Sequence, residues 1–153
     1  MTEKLILDSS IISIPVGVRS KEDPNKITDF TLNYDMSDTA ISKLGTERKA
    51  VEKQLAQIGK EYGNITEDNL NEDNFADALH MIVAKLKTLF DQDFGAGMYD
   101  KISSASDGNS FFNMFELYSK AQDIIQQKIN DKSKQFQKRS DNKKQKYLKK
   151  HHK

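Results

Sequence analysis

The sequence predicts a mainly α-helical α+β fold: a small N-terminal antiparallel β element, three principal amphipathic helices and a basic C-terminal tail, helical or disordered. Three observations carry this. Apolar residues roughly alternate with polar ones up to Tyr34 and recur at three- and four-residue steps from Ser37 onward, the periods of strand and helix. Clusters of Gly, Pro, Asn and Asp separate the periodic segments, as turns require. The charge is also divided. Between Lys132 and Lys153 ten Lys/Arg face Asp141 alone, a charge of +9, which leaves fourteen basic and twenty-two acidic residues, or −8, on residues 1–131 of a chain whose net charge is +1.

A length of 153 residues suits one domain, expected over 1–131 (β element 1–34, helical part 37–130) with the tail at 132–153. At 36% apolar and 31% charged residues the core is expected to be modest. There is no cysteine, which excludes disulfides, thiolate catalysis and cysteine-ligated zinc or iron–sulfur centres. No apolar run approaches the roughly 20 residues of a membrane span. The start "MTEKLILDSSIISIPVGV" has too little basic charge and too broken an apolar run for a signal peptide. A cytoplasmic protein without membrane contact is therefore expected.

In the N-terminal third, "KLIL" (4–7), "IISIPV" (11–16) and "ITDFTLNY" (27–34) are rich in β-branched and aromatic residues and read as extended chain. The charged, turn-forming "GVRSKEDPNK" between the last two is expected to be an exposed hairpin loop. Pro15 lacks an N–H and places a sheet edge nearby, and an open edge leaves room for another chain, including self-association. From Ser37, a good N-cap, Ile41, Leu44, Val51, Leu55 and Ile58 share one helical face, and Gly59 reads as the stop. The polar "KEYGNITEDNLNED" reads as a loop or a short helical turn capped by Thr66. The core helix begins near Asn71 or Asp73, with Phe75, Leu79, Ile82, Val83, Leu86, Leu89 and Phe90 on one face. After "MYDKI", one expected helical turn, and "SSASDGN", an expected flexible loop, a last helix starts near Asn109 or Ser110. Its stripe is Phe111, Phe115, Tyr118, Ala121 or Gln122, Ile125 and Ile129, widened by Phe112, Leu117 and Ile124.

The stretch "LFDQDFGAGMYDKI" (89–102) closes the core helix. As a calcium loop starting at Asp91 it would hold Ala96 where glycine is required and Ile102 where glutamate is required. As a phosphate loop its glycines would follow a strand and precede a lysine, whereas Gly95 and Gly97 follow a helix and lead to Met98 and Tyr99. The remaining reading is structural. Gly95 or Gly97 takes a positive φ that ends the helix, with Phe90 and Phe94 buried against the last helix at Phe111 or Phe115. Asp91 and Asp93 oppose the dipole of the helix they end, which points to a basic partner or the chain's own tail as what retains them.

No catalytic constellation emerges. His80 reads as a boundary residue of the core helix, and His151 and His152 lie in the tail, with no spacing to carboxylates that suits a metal or a triad. No enzymatic activity, metal or cofactor is expected. The tail residues Lys138, Arg139, Lys143, Lys144, Lys146, Lys149 and Lys150 form a candidate interaction surface. Only Phe136 and Tyr147 interleave with them, so the stacking half of a single-strand-binding signature is missing and nucleic acid is not the expected partner.

Phe90, Asp91, Phe94, Gly95 and Gly97, followed by Lys101–Ile102 and a last amphipathic helix, resemble the tail assembly chaperones of long-tailed phages and prophages of Gram-positive bacteria. In those proteins a helix closes on a phenylalanine–aspartate–x–x–phenylalanine–glycine–x–glycine pattern; the Phe-Gly that usually follows the short segment is missing here after Ile102. The resemblance spans about residues 30–130. It implies a non-enzymatic protein that binds the tape measure and tail tube proteins in the host cytoplasm and is absent from the mature virion. The alternatives are a small nucleic-acid-binding or regulatory protein acting through its Lys-rich end, and a minor structural virion protein.

Overall fold

The computed structural model describes residues 2–151, without the side chains of Tyr147, Lys149, Lys150 and His151. A hairpin of β1 (Ile11–Arg19) and β2 (Ile27–Asp35) precedes α1 (Asp38–Glu61), a 3₁₀ turn (Glu67–Asn69), α2 (Phe75–Phe94), α3 (Met98–Ala105) and α4 (Phe111–His151). The fold is α+β, mainly α. Residues up to Tyr118 form one compact unit and those from Ser119 another, so α4 belongs to both, and the expected division at 131/132 falls within it.

The strands pair antiparallel from Ile11↔Asp35 to Arg19↔Ile27. Alternation buries Ile12, Ile14, Val18 and Leu32 on one face and leaves Ser13 and Asn33, joined by a 2.8 Å side-chain hydrogen bond, on the other. At the two ends of the ladder Ser20 N–H donates to Lys26 C=O and Met36 N–H to Ser10 C=O. Even-numbered β1 residues therefore bond to β2, and Pro15 falls at an outward position where its missing N–H costs no ladder bond. "KLIL" forms no strand: Leu5, Ile6 and Leu7 are 96%, 79% and 98% exposed. β-branched composition cannot order a segment whose backbone has no neighbouring strand to bond.

The hairpin loop is anchored, contrary to the expectation of free exposure. Ser20 is buried, its hydroxyl donates to the Asp107 carboxylate, and Glu22 N–H donates to the same carboxylate at 3.3 Å. Lys21 N–H donates to Ser106 C=O at 3.2 Å. The expected flexible loop 103–109 is correspondingly shorter. Residues 103–105 complete α3, Ser106 is buried, and only Asp107 (φ 60°) and Gly108 (φ 88°) reverse the chain. The hydrogen bond from Ser20, then that from Glu22, holds the Asp107 carboxyl below its ordinary range.

Ser37 caps α1 as expected, its hydroxyl accepting Ala40 N–H at 3.2 Å. The stop is Gly63 (φ 78°). Asn64 N–H donates to Gly59 C=O at 2.7 Å and Gly63 N–H to Lys60 C=O at 3.1 Å, the paired bonds of a Schellman motif. Gly59 lies inside α1 and is buried, and a Cβ there would sit 3.3 Å from Asn64 Oδ1 and 3.7 Å from Lys85 Nζ. It is a close-approach glycine rather than a terminator. On the expected face of α1 Val51 is buried, while Ile41 and Leu44 are exposed.

Helix α2 starts later than expected, at Phe75, because Asn71 and Asn74 bond each other and their neighbours in a capping turn. Its buried residues are Met81, Leu86, Phe90 and Phe94; Phe75 and Leu79 are exposed, as is His80. In α4 the buried positions are Met114, Ala121 and Ile125, with Tyr118 half-buried between them. Phe112 and Phe115 are exposed, and Phe111 packs on both, 5.8 Å from Phe112 and 5.7 Å from Phe115 between ring centroids.

Candidate functional site

The five motif residues Phe90, Asp91, Phe94, Gly95 and Gly97 come together as one helix–turn–helix element. The last turn of α2 exposes backbone carbonyls, and the first turn of α3 exposes N–H groups. Asp91 joins them: its carboxylate accepts Gly97 N–H at 3.2 Å and Tyr99 N–H at 2.9 Å. A carboxylate misplaced for the dipole of its own helix is thus well placed for the dipole of the next. Asp93 accepts the Tyr118 hydroxyl at 2.7 Å. Within the chain, backbone N–H groups meet Asp91 and a phenol meets Asp93.

Both glycines have positive φ, in different regions. Gly95 has φ 114° and ψ 147° and donates its N–H to Asp91 C=O at 2.9 Å; Gly97 is left-handed at φ 82° and ψ −2°. The first conformation is essentially open to glycine alone, while the second admits Asn or Asp at some cost. The turn they make brings Tyr99 under Phe90, with ring centroids 5.9 Å apart and nearly perpendicular at 85°. Phe90 also meets Phe94 edge-on at 5.2 Å and Tyr118 at 6.0 Å. The partner from α4 is Tyr118; the expected Phe111 and Phe115 stack on each other instead.

Edge-to-face rings gain stabilisation beyond the area they bury, and here they surround Phe90, which is fully buried. Burial first, then the hydrogen bond to Asp93, pushes the Tyr118 phenol well above its usual range; burial also raises Tyr99, as it does Tyr34. On the rim Lys87 pairs with Asp100 at 2.7 Å, with both side chains substantially exposed.

A groove of about 440 Å³ lies between β2, α1 and α2, with apolar Leu44, Val51 and Leu89 and acidic Glu47 and Asp93 along it. Gln92 reaches across to Glu47 at 3.2 Å. The candidate interaction residues Lys138, Arg139, Lys143, Lys144 and Lys146 are exposed on α4; the backbone of Lys149 and Lys150 continues that helix, and their side chains lie outside the described residues. Among the described residues no group of three or more His, Asp and Glu is placed to hold a metal ion, and no helix is long and apolar enough to cross a membrane.

Sequence reasoning missed Asp107 and Ser20, the pair that anchors the hairpin tip, and Met81 and Met114 of the core. A positive φ at Asp107 has a weak signal in the Asp-Gly dipeptide of "SDGN". The methionines had none, since their spacing competes with that of nearby phenylalanines and leucines. No protein-family model, curated protein or solved structure matches this chain.

Proposed function

We propose that this chain is a tail assembly chaperone of a long-tailed phage or prophage, a non-enzymatic protein that binds tape measure and tail tube proteins in the bacterial cytoplasm and leaves the finished virion. The observation that carries the reading is that the residues bearing the resemblance, Phe90, Asp91, Phe94, Gly95 and Gly97, act as one structural unit, each with its own part in turning α2 into α3. Apolar side chains of three helices also stand at the surface: Ile41 and Leu44 on α1, Phe75 and Leu79 on α2, Phe112 and Phe115 on α4. Such stripes suit helical partners, which dock by laying an apolar face into a groove. The basic residues of α4 would add attraction that weakens with salt.

Co-expression of the full chain with the tape measure and tail tube proteins of its own genome tests the proposal. Co-purification with either supports it, and loss of that binding in Ile41→Asp/Leu44→Asp while the fold is kept places the contact. Binding to neither, together with salt-sensitive retardation of DNA or RNA, would instead favour the reading as a nucleic-acid-binding protein acting through α4. Recovery of the chain from purified particles would make it a minor virion component.

A further inference from the structure

The free edge of β1 borders an open cleft. Because even-numbered β1 residues bond to β2, the odd-numbered ones turn N–H and C=O outward. At the far end of that edge Lys21 N–H is already taken by Ser106 C=O. Among the described residues the outward N–H groups of Gly17 and Arg19, next along the edge, meet no acceptor. Beside them is a cleft of about 780 Å³ walled by the consecutive residues 16–21. Consecutive strand residues point to opposite faces, so a cleft touching all of them lies against the backbone edge and not against one face. Val18, Ile102, Met114 and Leu117 give it an apolar floor, and Ser106, Asn109, Ser110 and Asn113 supply polar side chains to its walls.

We infer that this cleft receives residues 4–7 of a second copy of the chain as a strand added to β1. "KLIL" has strand-forming composition and near-complete exposure of its three apolar side chains. In an extended segment Leu5 and Leu7 share one side, which turns them to the apolar floor while Ile6 faces outward. With Glu3 and Asp8 flanking it and Lys4 within it, residues 3–8 carry a net charge of −1, against the two cations Arg19 and Lys21 at the cleft, so the charges are complementary. The segment cannot serve its own cleft. Folded back through residues 8–10, it would set Leu7 opposite Ile11 and Leu5 opposite Ser13, which ends before Pro15 and leaves Gly17 and Arg19 open. Pro15 also limits the added strand, having no N–H to offer it. The association is therefore short, main-chain directed and concentration-dependent, and it stands independently of the chaperone reading.

The absence of cysteine allows single cysteines to report the pairing. Copies carrying Leu5→Cys are mixed with copies carrying Leu117→Cys under mild oxidation, with Lys21→Cys as a second acceptor on an exposed position. An interchain disulfide is expected with both acceptors and not with Leu44→Cys in the α1–α2 groove. Adding Leu7→Asp to the Leu5→Cys copy should lower the yield about tenfold, the loss expected when one leucine no longer buries its side chain. Light scattering on the cysteine-free chain should show mass rising with concentration, and Leu5→Asp/Leu7→Asp should remain monomeric with unchanged circular dichroism. A chain that is monomeric at every concentration overturns the inference. So does equal cross-linking to Leu44→Cys, or an intrachain bond in Leu5→Cys/Ser13→Cys in place of the interchain one.

Discussion

Helix α1 closes on its own backbone, whereas α2 closes on the helix that follows it. At the end of α1 the bonds from Asn64 and Gly63 return to Gly59 and Lys60, all within one turn, and the element would close in the same way wherever it were placed. At the end of α2 the Asp91 side chain reaches the N–H groups of Gly97 and Tyr99, and Phe90 and Phe94 meet Tyr99 and Tyr118. The first end is local and the second is tertiary. A glycine in the sequence marks where a helix can stop; the residues after it decide whether the stop carries the core.

The sharpest break of this contrast is Phe90→Ala. Phe90 is fully buried and packs on three rings, Phe94 of α2, Tyr99 of α3 and Tyr118 of α4, and its truncation should cost about 3–5 kcal/mol by denaturant unfolding. Ile58→Ala, near the end of α1 and only half-buried, should cost well under half of that. Equal losses would show that both ends carry the core alike.

The glycines come next. Gly95→Val forces a β-branched residue to φ 114° and should cost about 2–3 kcal/mol. Gly63→Ala at φ 78°, with no atom within 4 Å of its added Cβ, should cost about 1 kcal/mol, and Gly63→Asn less. Thermal midpoints of the three variants rank the two turns directly.

Much of this was legible beforehand, for physical reasons that can be named. The hairpin, the Ser37 cap and the positive φ at Gly95 and Gly97 follow from short-range sterics and local hydrogen bonding, which the sequence displays directly. The errors share one cause, dependence on contacts that the apolar period does not display. Gly59 reads as a stop until Lys85 and Asn64 are seen beside it. Phe115 and Met114 are adjacent, and periodicity alone favours the larger ring; the fold instead lets Phe111 stack on Phe115 and sends Met114 inward. Asp91 reads as unfavourable for α2 because the helix it serves begins seven residues later, at Met98.

That service can be measured. Asp91→Ala removes two hydrogen bonds to backbone N–H groups and should cost about 2 kcal/mol. Asp91→Asn keeps an acceptor oxygen but loses the charge that favours the start of α3, so it should fall between Ala and the parent chain. If Asn proves as damaging as Ala, the charge and not the hydrogen bonding is what holds the turn.

The smallest effect, and the one that separates the two ends by pH, belongs to Tyr118. Tyr118→Phe keeps the ring against Phe90 and Phe94 and removes only the hydroxyl donated to Asp93, a loss of about 1 kcal/mol at neutral pH. Burial and Asp93 raise the Tyr118 phenol above its ordinary value of 10.0, so the folded chain holds that proton more tightly than the unfolded one. Protons bound in excess by the folded state make stability fall as pH rises. The contribution is thus complete below about pH 10 and declines above it. Tyr99 and Tyr34 shift in the same direction, so Tyr118→Phe should reduce the alkaline decline without abolishing it. An unchanged alkaline slope in Tyr118→Phe would mean that neither burial nor Asp93 holds the phenol proton in solution, and the tertiary account of the α2 end would lose its link to α4.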